Sequence, residues 1–316
     1  MCTKKRIRRF IPMECNHVYQ RSIKGYNIFY DREDYLICYM ILSVISKKLN
    51  VKILEVCFMF DHIHILIDAE SRELMASFVR DFLSVFVREY NTSIGRKGQL
   101  FYKSFGSAPK QGNKKMRSVI VYIGNNPVEK HLCEYAEEYR WNFLRYMVES
   151  FPFSNETPGR KRSRNLNRCI KRVNAAAKVG RYMNYTQLYN MFSDLTEMEA
   201  EYLTDYIIMT YYPFDTGRLL NFYDDWKQMM DSMHSTTGSE HDIVEEWYSR
   251  SDSVYSEMIK FVKGHFMLNK ARDVTVMPLM QKKKLMADLM RHTGATFSEI
   301  CKFLHLDTKV MRQLNA

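Results

Sequence analysis

Two histidines stand two apart inside an apolar run, Phe58-Met59-Phe60-Asp61-His62-Ile63-His64-Ile65-Leu66-Ile67. β-Branched and aromatic residues dominate this run and Glu70-Ser71-Arg72 ends it, which predicts a strand. Side chains alternate along a strand, so His62, His64 and Leu66 share one face. Ile63, Ile65 and Ile67 take the other, the core side. Two imidazoles side by side on a pleated face either hold a divalent cation between them or pack as structural residues. In the first case a third ligand and a reactive group must come from elsewhere in the chain.

The 316 residues, 46% hydrophobic and 14% aromatic, suffice for a packed core and two or three domains. No apolar run is long enough to span a bilayer. The basic start, Met1-Cys2-Thr3-Lys4-Lys5-Arg6, is not followed by a signal-peptide segment, so the expected location is the cytoplasm, with no membrane partner. The seven cysteines are scattered without a C-x-x-C pair and read as reduced thiols, neither a disulfide frame nor a zinc site.

The net charge of +11 suggests a polyanionic partner, most often nucleic acid. The charge is unevenly spread. Residues 182–260 hold fifteen acidic and four basic side chains, whereas residues 160–181 hold nine Lys/Arg and no acid. The latter stretch reads as a basic linker, or a helix along a phosphate backbone. The acidic stretch reads as helical around 195–212 and 219–233, and either folds back over a basic face or forms a dimer surface. Residues 4–9, with five Lys/Arg, read as a phosphate-contacting arm or a solvated tail.

Along the chain, residues 15–21 read as a first strand, in which His17 is structural or a substrate contact. Asp31 can cap a helix whose apolar positions run from Tyr35 to Leu49. Residues 51–60 give a strand. The His62/His64 strand either continues it or pairs with it after a bend near Asp61. A second amphipathic helix from Leu74 to Tyr90 ends at Gly95. A short strand follows at 99–105 and a mobile loop at 109–113. The order β-α-β-β-α-β-α predicts a small α+β sandwich with an antiparallel sheet.

The next helix starts near Lys114 and buries Met116, Val119, Ile120 and Ile123. Lys115, Ser118, Tyr122 and Asn126 form a separate polar stripe, and Pro127 closes the helix. Tyr122 and Asn126 are therefore neighbours one turn apart. A tyrosine hydroxyl, with a pKa near 10, is a poor nucleophile at neutral pH. A cation held by two imidazoles and one side-chain oxygen would supply the missing help for phosphodiester cleavage. Mg²⁺ or Mn²⁺ fits, with histidine favouring Mn²⁺. The product would be a 5′-phosphotyrosine link with a free 3′-OH. Singly, each residue has another reading: Tyr122 packing an interface, Asn126 as a helix C-cap, Asp61 binding metal or capping a turn. For Asp61 the preferred role is to orient a histidine.

At the C-terminus, residues 282–291 read as a helix. Thr296-Phe297-Ser298-Glu299 is a capping box opening a second helix, and Asp307 caps a third. The last two make either a helix-turn-helix, with 308–315 reading DNA, or part of a three-helix structural cap.

Residues 12–146 resemble the IS200-like, single-tyrosine transposases, specifically the branch of REP-associated tyrosine transposases. The resemblance lies in His17-Val18-Tyr19-Gln20-Arg21, Ile28-Phe29-Tyr30-Asp31, Met59-Phe60-Asp61-His62-Ile63-His64-Ile65-Leu66, Gly98-Gln99-Leu100-Phe101, Phe105, Tyr122-Ile123-Gly124-Asn125-Asn126-Pro127-Val128 and Tyr139-Arg140-Trp141. It implies a ferredoxin-like HUH nuclease domain cutting single-stranded DNA, often beside a hairpin. His62 and His64 would be metal ligands, Tyr122 the nucleophile and Asn126 the third ligand. Two positions depart from the family: Phe60-Asp61 stands where it has Pro-Asn, and Gly124 where it has His.

The resulting expectation is an HUH nuclease domain at 1–150, a basic linker at 151–181, an acidic helical region at 182–275 and a helix-turn-helix at 276–316. DNA contacts are expected from Arg21, Lys115, Arg160, Arg162, Arg164, Lys309 and Arg312. The expected partner is single-stranded or hairpin DNA in a bacterial nucleoid, bound by a monomer or homodimer. The readings of function are an active strand transferase, a transposase-derived DNA-binding protein that does not cut, and a basic helical scaffold with incidental histidines, which would require the family resemblance to be chance.

Overall fold

The computed structural model describes residues 10–11, 14–154, 162–235, 251–266, 268 and 270–314. The basic arm at 4–9 and Arg160 lie outside them. Four strands, β1 (Cys15–Arg21), β2 (Lys52–Phe58), β3 (His62–Asp68) and β4 (Gly106–Lys110), form one antiparallel sheet in the order β2-β3-β1-β4. β2 and β3 are a hairpin, closed at the bend where the Met59 N–H donates to the His62 carbonyl at 2.9 Å. Of the two readings of this stretch, pairing after a bend is the one observed. β1 lies in the middle, with Tyr19 opposite His64 on one side and opposite Gly106 on the other. Position 106 must be glycine, since a Cβ there would sit 1.9 Å from the Tyr19 ring.

Between the strands run α1 (Arg32–Leu49), α2 (Arg72–Ile94) and α3 (Gly112–Glu129). α1 opens on a reciprocal capping box between Asp31 and Asp34 and ends at Asn50 in the left-handed region. α2 is capped by Ser71 and ends at Gly95, φ +65°. Ile63, Ile65 and Ile67 of β3, with Val18 and Val56, join α1 and α2 in the largest core. α3 covers the other face, packing Met116, Val119, Ile120 and Ile123 with Leu66 and Cys57. The sheet is thus buried on both sides, and every residue of β3 but Asp68 is buried.

Three expectations about this region need correction. The strand is at 106–110, where a mobile loop was expected in part. The 99–105 segment contributes only the bridge of Phe101 to Ser22. α3 begins at Gly112, and Pro127 lies inside it. Proline removes one backbone donor and restricts the residue before it. In the last turn, however, the helix continues: Lys130 N–H still donates to the Asn126 carbonyl at 3.2 Å.

The basic stretch is not a linker where it is described. α4 (Arg164–Lys178) buries Leu166, Cys169 and Val173 in the largest core, together with α5 (Tyr185–Phe192) and α6 (Glu197–Thr210). The core therefore does not divide at 150 or at 181. The segment 219–233 forms two helices, α7 (Thr216–Leu220) and α8 (Trp226–Ser235), whose Leu219, Met229, Met230 and Met233 pack against α3. A third core joins α9 (Ser253–His265), α10 (Leu279–His292), α11 (Phe297–Phe303) and α12 (Thr308–Leu314) to Tyr30 and Phe60 of the sheet region. Thr296 and Glu299 make the expected capping box, and Asp307 accepts from Lys309 and Val310 N–H at 2.9 and 3.3 Å.

A buried network ties the last region to the first. The Arg272 guanidinium donates to Asp34 at 3.0 Å and lies 3.7 Å from the centre of the Tyr185 ring. The Tyr185 hydroxyl donates to the same carboxylate oxygen at 2.9 Å. No helix among the described residues is long and apolar enough to cross a membrane.

Candidate functional site

The site lies on the sheet face beneath α3. Strand alternation puts His62 and His64 on this face, and the β1–β3 register brings Arg21 opposite His62 and His17 opposite Leu66. His62 is held at one nitrogen, Nδ1, which lies 2.5 Å from Asp61 Oδ1. Its other nitrogen, Nε2, lies 3.3 Å from Asn126 Oδ1. His64 is arranged the same way. Its Nδ1 lies 2.9 Å from His17 Nε2, and its Nε2 lies 3.4 Å from Asn126 Nδ2. The Nε2 atoms of both imidazoles therefore converge on one amide.

Helical spacing brings Tyr122 to the same place. It sits one turn before Asn126 on α3, with its ring edge-on to His64 at 5.4 Å between centroids and to His17 at 5.8 Å. The polar stripe on α3 runs from solvent into the interior: Lys115 and Ser118 are exposed, while Tyr122 and Asn126 are 1% and 4% exposed. His64 is fully buried and His62 is 5% exposed.

Charges around the site follow from this burial. Burial pushes the Asp61 carboxyl up. The His62 imidazole bonded to it outweighs that, with Arg21 and Lys302 adding to the effect, and holds the carboxyl below its usual range. Burial lowers the pKa of His17 well below that of an ordinary histidine, with His64 and Lys110 pushing the same way. His17 is thus neutral at pH 7 and shares one hydrogen bond with His64. Close by, Asp252, just before α9, donates its N–H to the Lys130 carbonyl at 2.9 Å. Burial and the neighbouring Asp61 raise its carboxyl to about 6.

The donor set fits a divalent cation. Two imidazole nitrogens face one side-chain amide, whose oxygen lies toward His62. Each imidazole has its far nitrogen held by a partner that fixes the ring's orientation, the Asp61 carboxylate also fixing the tautomer of His62. Among the described residues no group of three or more His, Cys, Asp or Glu is arranged for a metal, so the third protein ligand would be Asn126. Mixed nitrogen and oxygen donors suit Mn²⁺, and Mg²⁺ with more water oxygens.

The other expected residues scatter. Arg21 is exposed at the end of β1 beside the site, and Lys115 is exposed on the first turn of α3. Arg162 lies over the Tyr202 ring at 4.9 Å, and Arg164 opens α4; both belong to the layers on the opposite side of the sheet. Lys309 and Arg312 are exposed on α12. Sequence reasoning missed the tie between His17 and His64, because only the register of β1 on β3 brings their rings within 5.1 Å.

The two departures from the family pattern are both contact points. Phe60 packs on Tyr255 of α9, with ring centroids 5.5 Å apart. A Cβ at Gly124 would come within 2.7 Å of Met233 Cε and 2.9 Å of its sulfur. The next residue, Asn125, donates from its side chain to the Met233 carbonyl at 2.7 Å.

Residues 16–126 match the family model of the IS200-like transposases, which supports a transposase role. Among solved structures, the chain is similar to a REP-associated tyrosine transposase bound to a REP hairpin. The identity is 14%, over 46% of this chain and 84% of that one, with a TM-score of 0.39. It is also similar to a candidate transposase from Deinococcus radiodurans R1, at 18% identity over 38% of this chain and 96% of that one, with a TM-score of 0.28. No curated protein matches.

Proposed function

We propose that the chain is a metal-dependent single-stranded DNA endonuclease and strand transferase, acting at hairpin-bearing DNA through a 5′-phosphotyrosine. The observation that carries this reading is the convergence of His62 Nε2 and His64 Nε2 on Asn126, with Tyr122 edge-on to His64. His62, His64 and Asn126 would hold Mg²⁺ or Mn²⁺, which supplies charge stabilisation at the scissile phosphate. Tyr122 would attack phosphorus: its O–P bond forms, the P–O3′ bond breaks, and the phenol's proton is balanced by the one the leaving 3′-hydroxyl takes up. Asp61 and His17 position the two imidazoles. Arg21 and Lys115 flank the site from solvent and suit phosphates of the bound strand, and Lys309 and Arg312 on α12 suit the backbone of an adjoining duplex.

The deciding experiment is incubation with a single-stranded hairpin oligonucleotide and Mn²⁺, followed by a denaturing gel. A protein–DNA adduct that EDTA prevents supports the reading. One observation favours the second reading, DNA binding without cutting: Tyr122 and His64 are closed off, at 1% and 0% exposure. A phosphate reaches the phenol only if α3 or its cover shifts. Hairpin binding without any adduct would establish that second reading.

A further inference from the structure

α4 carries five cations, Arg164, Arg168, Lys171, Arg172 and Lys178, and no acidic residue. At 100° per residue they fall within an arc of roughly 120°. The opposite arc holds Leu166, Cys169 and Val173, which are buried. All five cations are exposed, and only Arg168 has an acidic partner, Asp194 at 2.7 Å, among the ion pairs of the described residues. The helix is anchored through its apolar side on α6, which in turn packs on α1. The basic face is therefore fixed in place, and it looks away from the sheet.

Its position separates it from the chemistry. α1 lies on the sheet face opposite His62, His64 and α3. Successive helix layers at roughly 8–10 Å put α4 about 25 Å from the sheet. A strand lying on Tyr122 does not reach it.

We propose that the outward face of α4 is a second nucleic-acid surface, which takes the phosphate backbone of double-stranded DNA away from the strand held at Tyr122. Two features select a duplex. The stripe is straight and rigid, about 21 Å from Arg164 to Lys178, which matches about six base pairs at 3.4 Å each. The helix has no aromatic residue, so it lacks the stacking platform that binds unpaired bases. Its exposed uncharged residues are Ala175 and the asparagines Asn165, Asn167 and Asn174. Asn165 and Asn167 each donate one amide N–H to a backbone carbonyl and Asn174 accepts from the Tyr206 hydroxyl, which leaves amide N–H groups for phosphate oxygens, contacts that carry no sequence code. Binding there is therefore indifferent to sequence, and it would hold a flanking arm or target duplex while the other face holds a single strand.

The test uses the full chain and a 25-base-pair duplex with blunt ends, with the dissociation constant measured from 50 to 200 mM NaCl. The triple variant Lys171→Gln/Arg172→Gln/Lys178→Gln should lower the slope of log affinity against log salt by about two to three, at roughly 0.9 for each phosphate no longer neutralised. Asn167→Glu, which sets a carboxylate into the stripe without removing a cation, should weaken the same duplex severalfold. Adduct formation on a short hairpin oligonucleotide should stay unchanged in both. An unchanged slope and affinity in both variants overturns the proposal, as does duplex RNA binding more tightly than duplex DNA through the same residues. Absence of adducts in the unaltered protein would count against the nuclease alone and would leave the duplex measurement standing.

Discussion

His17 Nε2 lies 2.9 Å from His64 Nδ1, across two strands and 47 positions of sequence. This pairing settles which nitrogen of His64 faces Asn126, because Nδ1 is engaged on the far side of the ring. Burial holds His17 well below the usual histidine range, so His17 brings a single ring proton to this contact.

If His17 positions a metal ligand, its loss should act on the metal before it acts on DNA. His17→Phe should raise the Mn²⁺ concentration for half-maximal adduct formation by about 10–100-fold, the usual cost of losing such a partner. Hairpin binding in EDTA should change little. Equal Mn²⁺ requirements in variant and parent would show that His17 is only packing.

Tyr122→Phe should abolish the covalent adduct and keep hairpin binding, since the ring still packs on His64 and His17. His62→Ala and His64→Ala should each abolish metal-dependent cutting. Adducts at the parental level in Tyr122→Phe would remove the phenol from the proposed mechanism.

Gly124→Ala sets two effects against each other. Alanine favours a helix interior over glycine by about 1 kcal/mol, and the new methyl displaces the flexible end of Met233, so the net change in stability should stay within about 1 kcal/mol. In a Met233→Ala background the same Gly124→Ala change should be more favourable than in the parent, since the obstructing side chain is gone. Thermal melting of the single and double variants measures both. A second substitution that adds its full cost to the first would show that the two side chains do not meet.

His305 provides the pH test. It sits at the turn between α11 and α12, where Nε2 lies 2.6 Å from the Asn27 carbonyl. Burial lowers its pKa from 6.5 to about 3, against the opposing effect of that hydrogen bond. The unfolded chain therefore takes up a proton near pH 6.5 that the folded chain refuses until about pH 3. Stability from this group is complete above 6.5 and declines as pH falls, by up to about 1.4 kcal/mol per unit. His305→Asn, which tolerates the positive φ of 54°, should flatten the decline between pH 7 and 4 in chemical denaturation. An identical slope would place the titration elsewhere.

Much of the sheet region was legible in the sequence because its signals are local. Alternation assigned the two faces of β3, and capping residues marked the starts of α1, α11 and α12. The pairing of Tyr122 with Asn126 followed from helical spacing alone. What escaped prediction depends on residues far apart. The strand at 106–110 contains glycine and proline and has little strand character of its own; it exists because it pairs with β1. The basic stretch looked like a linker because its charges dominate composition, while three spaced apolar residues suffice to seat α4 in the core. His17 stood alone in sequence for the same reason: strand register is a tertiary fact.

The seat of Met233 over Gly124 also limits how such a chain can be rebuilt. A side chain at 124 takes the space that the Met233 thioether end now fills, so the two positions bear on one another. A histidine at 124 would require the Met233 side chain of α8 to move aside. The helix that carries Tyr122 and Asn126 and the helix that carries Met233 thus share one seat, and a change of volume at 124 is felt first at α8.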